Sequence, residues 1–430
     1  MKKTRTQIGS ILLALALVLS LLPVTAMASD ETVSTADELK AALEGASDGD
    51  TITLANDIVI DPTYAAGLQG ADDEEGDVAV YMTISSDITL DLQSYTISWD
   101  TSKASDESIW NTLCFAAVSG ADVVIAADPT GGIDAEANYS NSYGINIIDN
   151  GTVTVLNGTY TGATTAIQVQ RGELTILDGT FIQAKTIGEV APGYAKYVIN
   201  CIDKSFADGI ARIYAKGGTY CFDPDGKPEN SEITYVPDGY VSVKDGDYYT
   251  VMPLEEAAVA RVEDNYYMTL PEAINGAQSG DIVTLLQNAT WDGEAGDGTV
   301  LNVDGLTLDL NGYTLTAPNF SLIFQGDDFT LRNGSLVSAN RGSYALFIGD
   351  ERETTDIIVE NVTTTGGINI YNAHNVVLRN VDVTGTNYYA VWCDENGQAV
   401  IESGVFRSNG VAVLGLAENN DGANADSAMY

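Results

Sequence analysis

The sequence predicts an all-β protein made of two tandem solenoids, each opening on a short N-terminal capping helix. Three observations carry that expectation. A long-range repeat recurs at a nearly constant offset, a shorter period runs inside each copy, and hydrophobic residues make up 45% of a strongly acidic chain. Such a chain has enough apolar content to form a core, so it is not a disordered acidic tail.

The first element is a targeting segment, residues 1–28. Lys2, Lys3 and Arg5 form a positive start, Ile8 to Leu22 is apolar, Pro23 breaks it, and Ala26-Met27-Ala28 is an A-x-A cleavage site. The apolar run is short and its exit is made of small residues, which favours a removed secretory signal over a membrane anchor. No later segment is apolar enough to span a bilayer, so no membrane insertion is expected after its removal.

The second element is a helix followed by a strand, and it occurs twice. Leu39 to Leu54 reads LKAALEGASDGDTITL and Leu270 to Leu285 reads LPEAINGAQSGDIVTL, an offset of 231. Leu39, Ala42, Leu43 and Ala46 match Leu270, Ala273, Ile274 and Ala277. The spacing i, i+3, i+4, i+7 gives each helix one apolar face. Thr35-x-x-Glu38 and Thr269-x-x-Glu272 are capping-box patterns, and they predict a first helix about one turn longer than the second. Gly49-Asp50 and Gly280-Asp281 stop the helices before the strands Thr51 to Leu54 and Ile282 to Leu285.

The repeat continues. Leu90-Asp91-Leu92-Gln93-Ser94-Tyr95-Thr96-Ile97 aligns with Leu308-Asp309-Leu310-Asn311-Gly312-Tyr313-Thr314-Leu315, now at an offset of 218. The first copy therefore carries 13 extra residues, among them the acidic run Asp72 to Glu75, expected to be a solvated loop. Inside each copy, short alternating strands meet a small polar turn, as in Val153 to Tyr160 and Leu174 to Phe181. In the second copy these turns fall at Asn311, Asn333, Asn361, Asn380 and Ser403, in steps of 22, 28, 19 and 23 residues. An alternating strand buries one face only. If each strand stacks on its equivalent one turn earlier, the inward faces form one apolar column and the inner backbone groups pair above and below. The expected organisation is a first solenoid at 29–222, a β-hairpin linker at 223–257, a second solenoid at 258–415 and a polar tail at 416–430. The hairpin is Tyr240 to Val243 and Tyr248 to Val251 around Lys244-Asp245-Gly246-Asp247.

On these repeats the chain resembles the right-handed parallel β-helix proteins of the pectate-lyase-like superfamily. It is more closely similar to tandem β-helix modules of secreted and surface proteins of Gram-positive gut bacteria. The resemblance covers most of the chain after residue 28 and implies that each capped helix, with its G-D-x-[IV]-T-L strand, plugs the open N-terminal end of a coil. It also implies two function classes, a non-enzymatic binding wall or a polysaccharide lyase or glycoside hydrolase.

Charge weighs on that choice. The chain has 19 Lys and Arg against 61 Asp and Glu, a net charge of −42, and one histidine. Nucleic acid, anionic membranes and polyanionic substrates are disfavoured as partners. The family's hydrolases use N-T-D, D-D, H-G and R-x-K motifs, and only Asp327-Asp328 matches. Its lyases use clustered carboxylates, calcium and a nearby cation, for which Arg332, Arg379 and Arg407 are the candidates. For these arginines, the plainer expectation is that they soften an acidic wall. For Asp327-Asp328 it is an ordinary turn, and for His374, followed by Asn375 rather than glycine, a turn histidine. The N-x-[ST] matches at Asn157, Asn333 and Asn361 are what the turn itself demands. Cys114, Cys201, Cys221 and Cys393 are too scattered for zinc. Cys201 and Cys221, 20 residues apart, either stack and bond or stay as core thiols. No calcium loop is present, and no catalytic, cofactor-binding or metal residue is assigned. Tyr344, Tyr371, Tyr388, Tyr389 and Trp392 fall on neighbouring repeats, where they either stack on sugar rings or pack as rungs. The expected function is a secreted, non-enzymatic wall for glycan or cell-surface partners, with a carbohydrate-active enzyme as the alternative. A spacer role is a third, weaker reading.

Overall fold

The computed structural model describes residues 28–69, 77–103, 112–136, 141–163, 165–184, 197–225, 234–291, 299–317, 321–338, 344–386, 389–416 and 427–430. The signal segment apart from Ala28, the Asp72 to Glu75 run, Tyr388 and most of the polar tail lie outside these residues. The protein is predominantly β with mostly parallel sheets. The chain divides into two compact units between Pro253 and Leu254. Among the described residues no helix is long and apolar enough to cross a membrane.

Near the start of each unit lies the capped helix of the sequence repeat. Helix Ala36–Gly45 is capped by Thr35, whose side chain accepts from the Glu38 backbone N–H, and helix Leu270–Gly276 has a full capping box of Thr269 and Glu272. Leu39, Ala42 and Leu43 are buried in one helix, and Leu270, Ala273 and Ile274 in the other. The matched Gly-Asp pairs end both helices alike. Asp50 accepts from Ser47 N–H at 2.9 Å and Asp281 from Gln278 N–H at 2.7 Å. The second sequence match has the same local chemistry. Asp91 accepts from Gln93 N–H and Asp309 from Asn311 N–H, and the two turn residues sit at φ 52° and 51°. A carboxylate two residues ahead of the turn holds the left-handed residue in place in both copies.

In the first unit the strands form three ladders. One ladder runs through Asp30–Val33, Asp50–Leu54, Ile88–Asp91, Asp122–Ala126, Gly151–Val155, Gly172–Ile176 and Ala211–Ala215. A second runs through Ile58–Ile60, Thr96–Trp99, Gly132–Asp134, Thr159–Gly162, Thr180–Gln183 and Thr219–Tyr220. The third runs through Asp77–Ile84, Thr112–Ser119, Asn141–Ile148, Ile167–Val169 and Ile199–Cys201. From Asp77–Ile84 to Thr219–Tyr220 successive strands fall on different ladders, so a strand pairs with one about twenty to forty residues away rather than with its chain neighbour.

In-register pairing stacks like on like. Ile52, Leu90, Ile125, Val155, Ile176 and Ala215 are register partners in turn and all are buried. On the second ladder the column is Ile58, Ile97, Ile133, Tyr160, Phe181 and Tyr220. Its last three rings stack at 5.3 and 5.0 Å between centroids. The two buried hydroxyls are satisfied: Tyr160 donates to the Asn157 carbonyl at 2.8 Å and Tyr220 to that of Gly217 at 2.7 Å. The hairpin of Tyr240–Asp245 and Tyr248–Pro253 lies antiparallel on Thr219–Tyr220, and Val251 closes onto the first unit's core.

The second unit has one branched sheet and one separate ladder. In the branched sheet Val283, Leu308, Leu331, Val359, Leu378 and Ile401 stack in register. The separate ladder runs through Thr299–Leu301, Leu322–Phe324, Leu346–Thr355, Ile368–His374, Tyr389–Asp394 and Ala412–Leu416.

All four cysteines are free. Cys201 ends a strand of the third ladder, whereas Cys221 follows the second ladder and accepts from Gln183 N–H, so a 20-residue spacing does not stack them. Burial pushes all four thiols up, that of Cys393 to about 12. Reduction should therefore leave the mass unchanged. At pH 8 a thiol reagent should modify only the half-buried Cys221 in the native protein, and all four in denaturant.

Asp61 gives a second expectation. Lys103 at 2.8 Å, with Thr63, holds its carboxyl down to about 2. A carboxylate with a lowered folded pKa stabilises fully above its unfolded value near 4, and the stabilisation is lost as pH falls towards 2. The difference in melting temperature between the wild type and Asp61→Asn should be constant from pH 7 to about 4 and close towards pH 2.

Candidate functional site

Period-two alternation decides which side chains of the separate ladder face outward. Leu346, Ile368 and Val391 point into the core, as do Ile348, Ile370 and Cys393. The residues between them form an outer column of Ile323, Phe347, Asn369, Trp392 and Gly415, and beside it Gly349, Tyr371 and Asp394. Phe347 and Tyr371 lie 5.9 Å apart at 35°, and Tyr389 stacks on Trp392 at 4.3 Å. All four rings are half-buried.

Two glycines shape this face. A Cβ on Gly415 would lie 2.6 Å from Trp392 Cε3, so glycine lets the indole lie flat over the next strand. Gly349, at φ +90°, would bring a Cβ within 1.7 Å of the Tyr371 carbonyl oxygen. Between Phe347 and Trp392, Asn369 is only 6% exposed and its Oδ1 has no hydrogen-bond partner. Buried amide oxygens are seldom left so.

Beside the rings the register slips between Gly349 and Thr354, a bulge in which Arg352 and Glu353 are exposed. Arg352 from this bulge donates to Asp304 at 3.3 Å and Asp327 at 3.2 Å. Asp327 also accepts from Thr355 N–H at 2.9 Å, so its carboxylate is held by two donors. Asp328 is exposed at φ 54°, the left-handed turn position. His374 Nε2 lies 3.3 Å from Glu353. Among the described residues no group of three or more His, Cys, Asp or Glu is arranged to hold a metal ion.

The arginines singled out from the sequence each meet carboxylates. Arg332 meets Asp309 at 2.8 Å, Arg379 meets Glu360 at 3.0 Å and Glu402 at 2.6 Å, and Arg407 meets Asp382. Asp309, Arg332, Glu360 and Arg379 are successive register partners, so charge alternates along the stack. The turn asparagines form a ladder of their own. Asn333 donates to Asp309, Asn361 to Asn333 at 3.2 Å and Asn380 to Asn361 at 2.9 Å, while Asn380 N–H donates to Ser403 Oγ. This ladder accounts for the N-x-[ST] matches at Asn333 and Asn361. At Asn157 the side chain accepts from Gly158 N–H.

Of the aromatic residues expected on a wall, the structure brings Tyr371, Tyr389 and Trp392 onto one outer face. Tyr344 is half-buried two residues ahead of the strand Leu346–Thr355, and its carbonyl accepts from Ser321. Phe347 and Asn369 were not singled out from the sequence. Their signal was present in the alternation of Leu346-Phe347-Ile348 and Ile368-Asn369-Ile370, once the strands are aligned. No model of a known protein family matches the chain, and neither does any curated protein.

The asparagine ladder is testable. Asn333, Asn361 and Asn380 all have positive φ, which alanine resists, and each link adds a hydrogen bond. Asn361→Ala should lower the unfolding free energy by about 2 kcal/mol in denaturant titration. Asn361→Asp, which keeps the turn preference and loses the donor, should cost less.

Proposed function

We propose that each unit is a right-handed parallel β-helix closed at its N-terminal end by its capped helix. The chain is exported after removal of residues 1–28 and acts without catalysis, presenting the outer face of Phe347, Tyr371, Tyr389 and Trp392 to glycan on a cell or in its surroundings. Parallel in-register ladders, and helices whose apolar sides meet the first strands, support the architecture. The positive start, apolar run and A-x-A exit support export.

The observation that carries the binding reading is the cluster of half-buried rings on one outer sheet face. Flat aromatic faces on a rigid ladder suit the apolar faces of sugar rings, and they lose little entropy on binding. The enzyme alternative has less local support. Asp327 is held by Arg352 and Thr355, and Asp328 projects from a left-handed turn.

The test is a panel of plant and host glycans, incubated with the protein and calcium. Binding, reducing ends and the absorbance of unsaturated uronates are followed together. Affinity without product is expected, and Trp392→Ala should weaken it at least about tenfold, ~1.4 kcal/mol. Release of either product would overturn the reading, as would affinity that the Trp392 variant leaves unchanged.

A further inference from the structure

Asn369 stands at the centre of the ring face and is all but closed off. It is 6% exposed, and its Oδ1 has no hydrogen-bond partner. An acceptor kept from water without a donor destabilises the fold that holds it. Alternation turns this side chain outward with the rings. Its register partners on the strands either side are Phe347 and Trp392, and Tyr371 follows two residues on along the same face. Phe, Tyr and Trp side chains reach farther from a sheet than that of Asn, so the rings are walls and the amide lies at the floor between them. Phe347 and Trp392 are two strand spacings apart, about 9.6 Å at the backbone. The indole leans to the far side, over Gly415, where a Cβ would lie 2.6 Å from its Cε3. A gap of that width, less the thickness of the rings, suits a slender group rather than a whole sugar ring.

The same acceptor stands in the first unit. Gly144-Ile145-Asn146-Ile147 reads like Gly367-Ile368-Asn369-Ile370, Asn146 is 3% exposed, and its Oδ1 also lacks a partner. Its register partners are Ala117 and Gln168, neither of them a ring. The acceptor recurs and the walls do not, so Asn146 is the control for Asn369.

The chemistry of one sugar carbon decides what fits. A sugar lying on the ring edges holds its ring hydroxyls level with them. The hydroxymethyl arm of a hexopyranose reaches deeper, with a methylene that packs against the rings and, one bond farther, an O–H that donates. A pentopyranose has no arm. In a deoxyhexose the arm is a methyl group with no donor. In a uronate it is a carboxylate, which only accepts, and which meets Oδ1 and, beside Tyr371, Asp394.

On the reading of this face as a glycan site, we propose that Asn369 determines its specificity. Oδ1 accepts a hydrogen bond from the hydroxymethyl O–H of a neutral hexopyranose, whose arm enters between Phe347 and Trp392. The site prefers hexose to deoxyhexose and pentose, and it rejects uronates.

Ligand-observed magnetic resonance titration of the full chain with methyl glycosides tests this. The probes are glucose, its deoxy counterpart with methyl in place of hydroxymethyl, xylose and glucuronic acid, which differ only at that carbon, and the matching galactose series. In at least one series the hexose should bind about tenfold more tightly than the deoxyhexose and the pentose, the contribution of one hydrogen bond, with the uronate weaker still. Asn369→Ala should lower hexose affinity to that of the deoxyhexose and leave the deoxyhexose as it was, which also shows the face intact. Trp392→Ala should weaken both alike, and Asn146→Ala should leave the preference in place. Equal binding of hexose and deoxyhexose by the wild type overturns the proposal and needs no variant; the glycan reading then stands if Trp392→Ala weakens both. A preference that survives Asn369→Ala, or that Asn146→Ala removes as fully, also overturns it. So does no binding of either hexose, and if the wider glycan panel binds nothing either, the glycan reading falls with it.

Discussion

Parallel in-register pairing between strands is the constraint on which the rest of this protein depends. It sets each side chain about 4.8 Å from its equivalent on the next strand. Whatever stands at one position is therefore answered at the same position by a neighbour of the same kind. Isoleucine above leucine above isoleucine gives a dry column. Tyr160, Phe181 and Tyr220 give a stack of rings. The arrangement is favourable only where the repeated group gains from meeting its like.

Charged groups do not gain, and the second unit shows how this is handled. Asp309, Arg332, Glu360 and Arg379 alternate in sign along one stack, so a column that would repel itself becomes a series of ion pairs. Exposed pairs of this kind are individually weak. Their contribution is to let an acidic chain tolerate a charged column at all. The asparagines solve the turn in the same manner. An amide is both donor and acceptor, so each side chain takes from one neighbour and gives to the next while its backbone holds the left-handed conformation.

The same geometry makes departures from the rule stand out. Where the register slips between Gly349 and Thr354, Arg352 leaves the sheet and reaches two aspartates. Where aromatic residues replace polar ones on the outside of the separate ladder, rings lie half-exposed on a rigid support. At Ala412–Leu416, Leu414 and Leu416 are half-exposed although their register partners Val391 and Cys393 are buried. Inward alternation alone would make every repeat alike, and these three places are where the repeats differ.

Much of this was legible in the sequence. The helix starts, the Gly-Asp stops, the turns at Asn311, Asn333, Asn361 and Asn380, and the alternation of the strands follow from local chemistry that acts within a few residues. The outer aromatic face was legible only in part. Tyr371, Tyr389 and Trp392 stood out by type, but Phe347 and Asn369 joined them only once pairing set Leu346 on Ile368 and Ile368 on Val391. The destinations of Arg332, Arg352 and Arg379 were beyond the sequence because their partners lie 19 to 48 residues away. The cysteines show the same limit, since Cys201 and Cys221 are about one repeat apart in the chain, yet one ends a strand of the third ladder and the other follows a strand of the second. Sequence by itself determined what each repeat does along its own length, because caps, turns and alternation are local. Only the tertiary structure decided which repeat meets which, because inter-strand hydrogen bonds join residues that the chain keeps far apart.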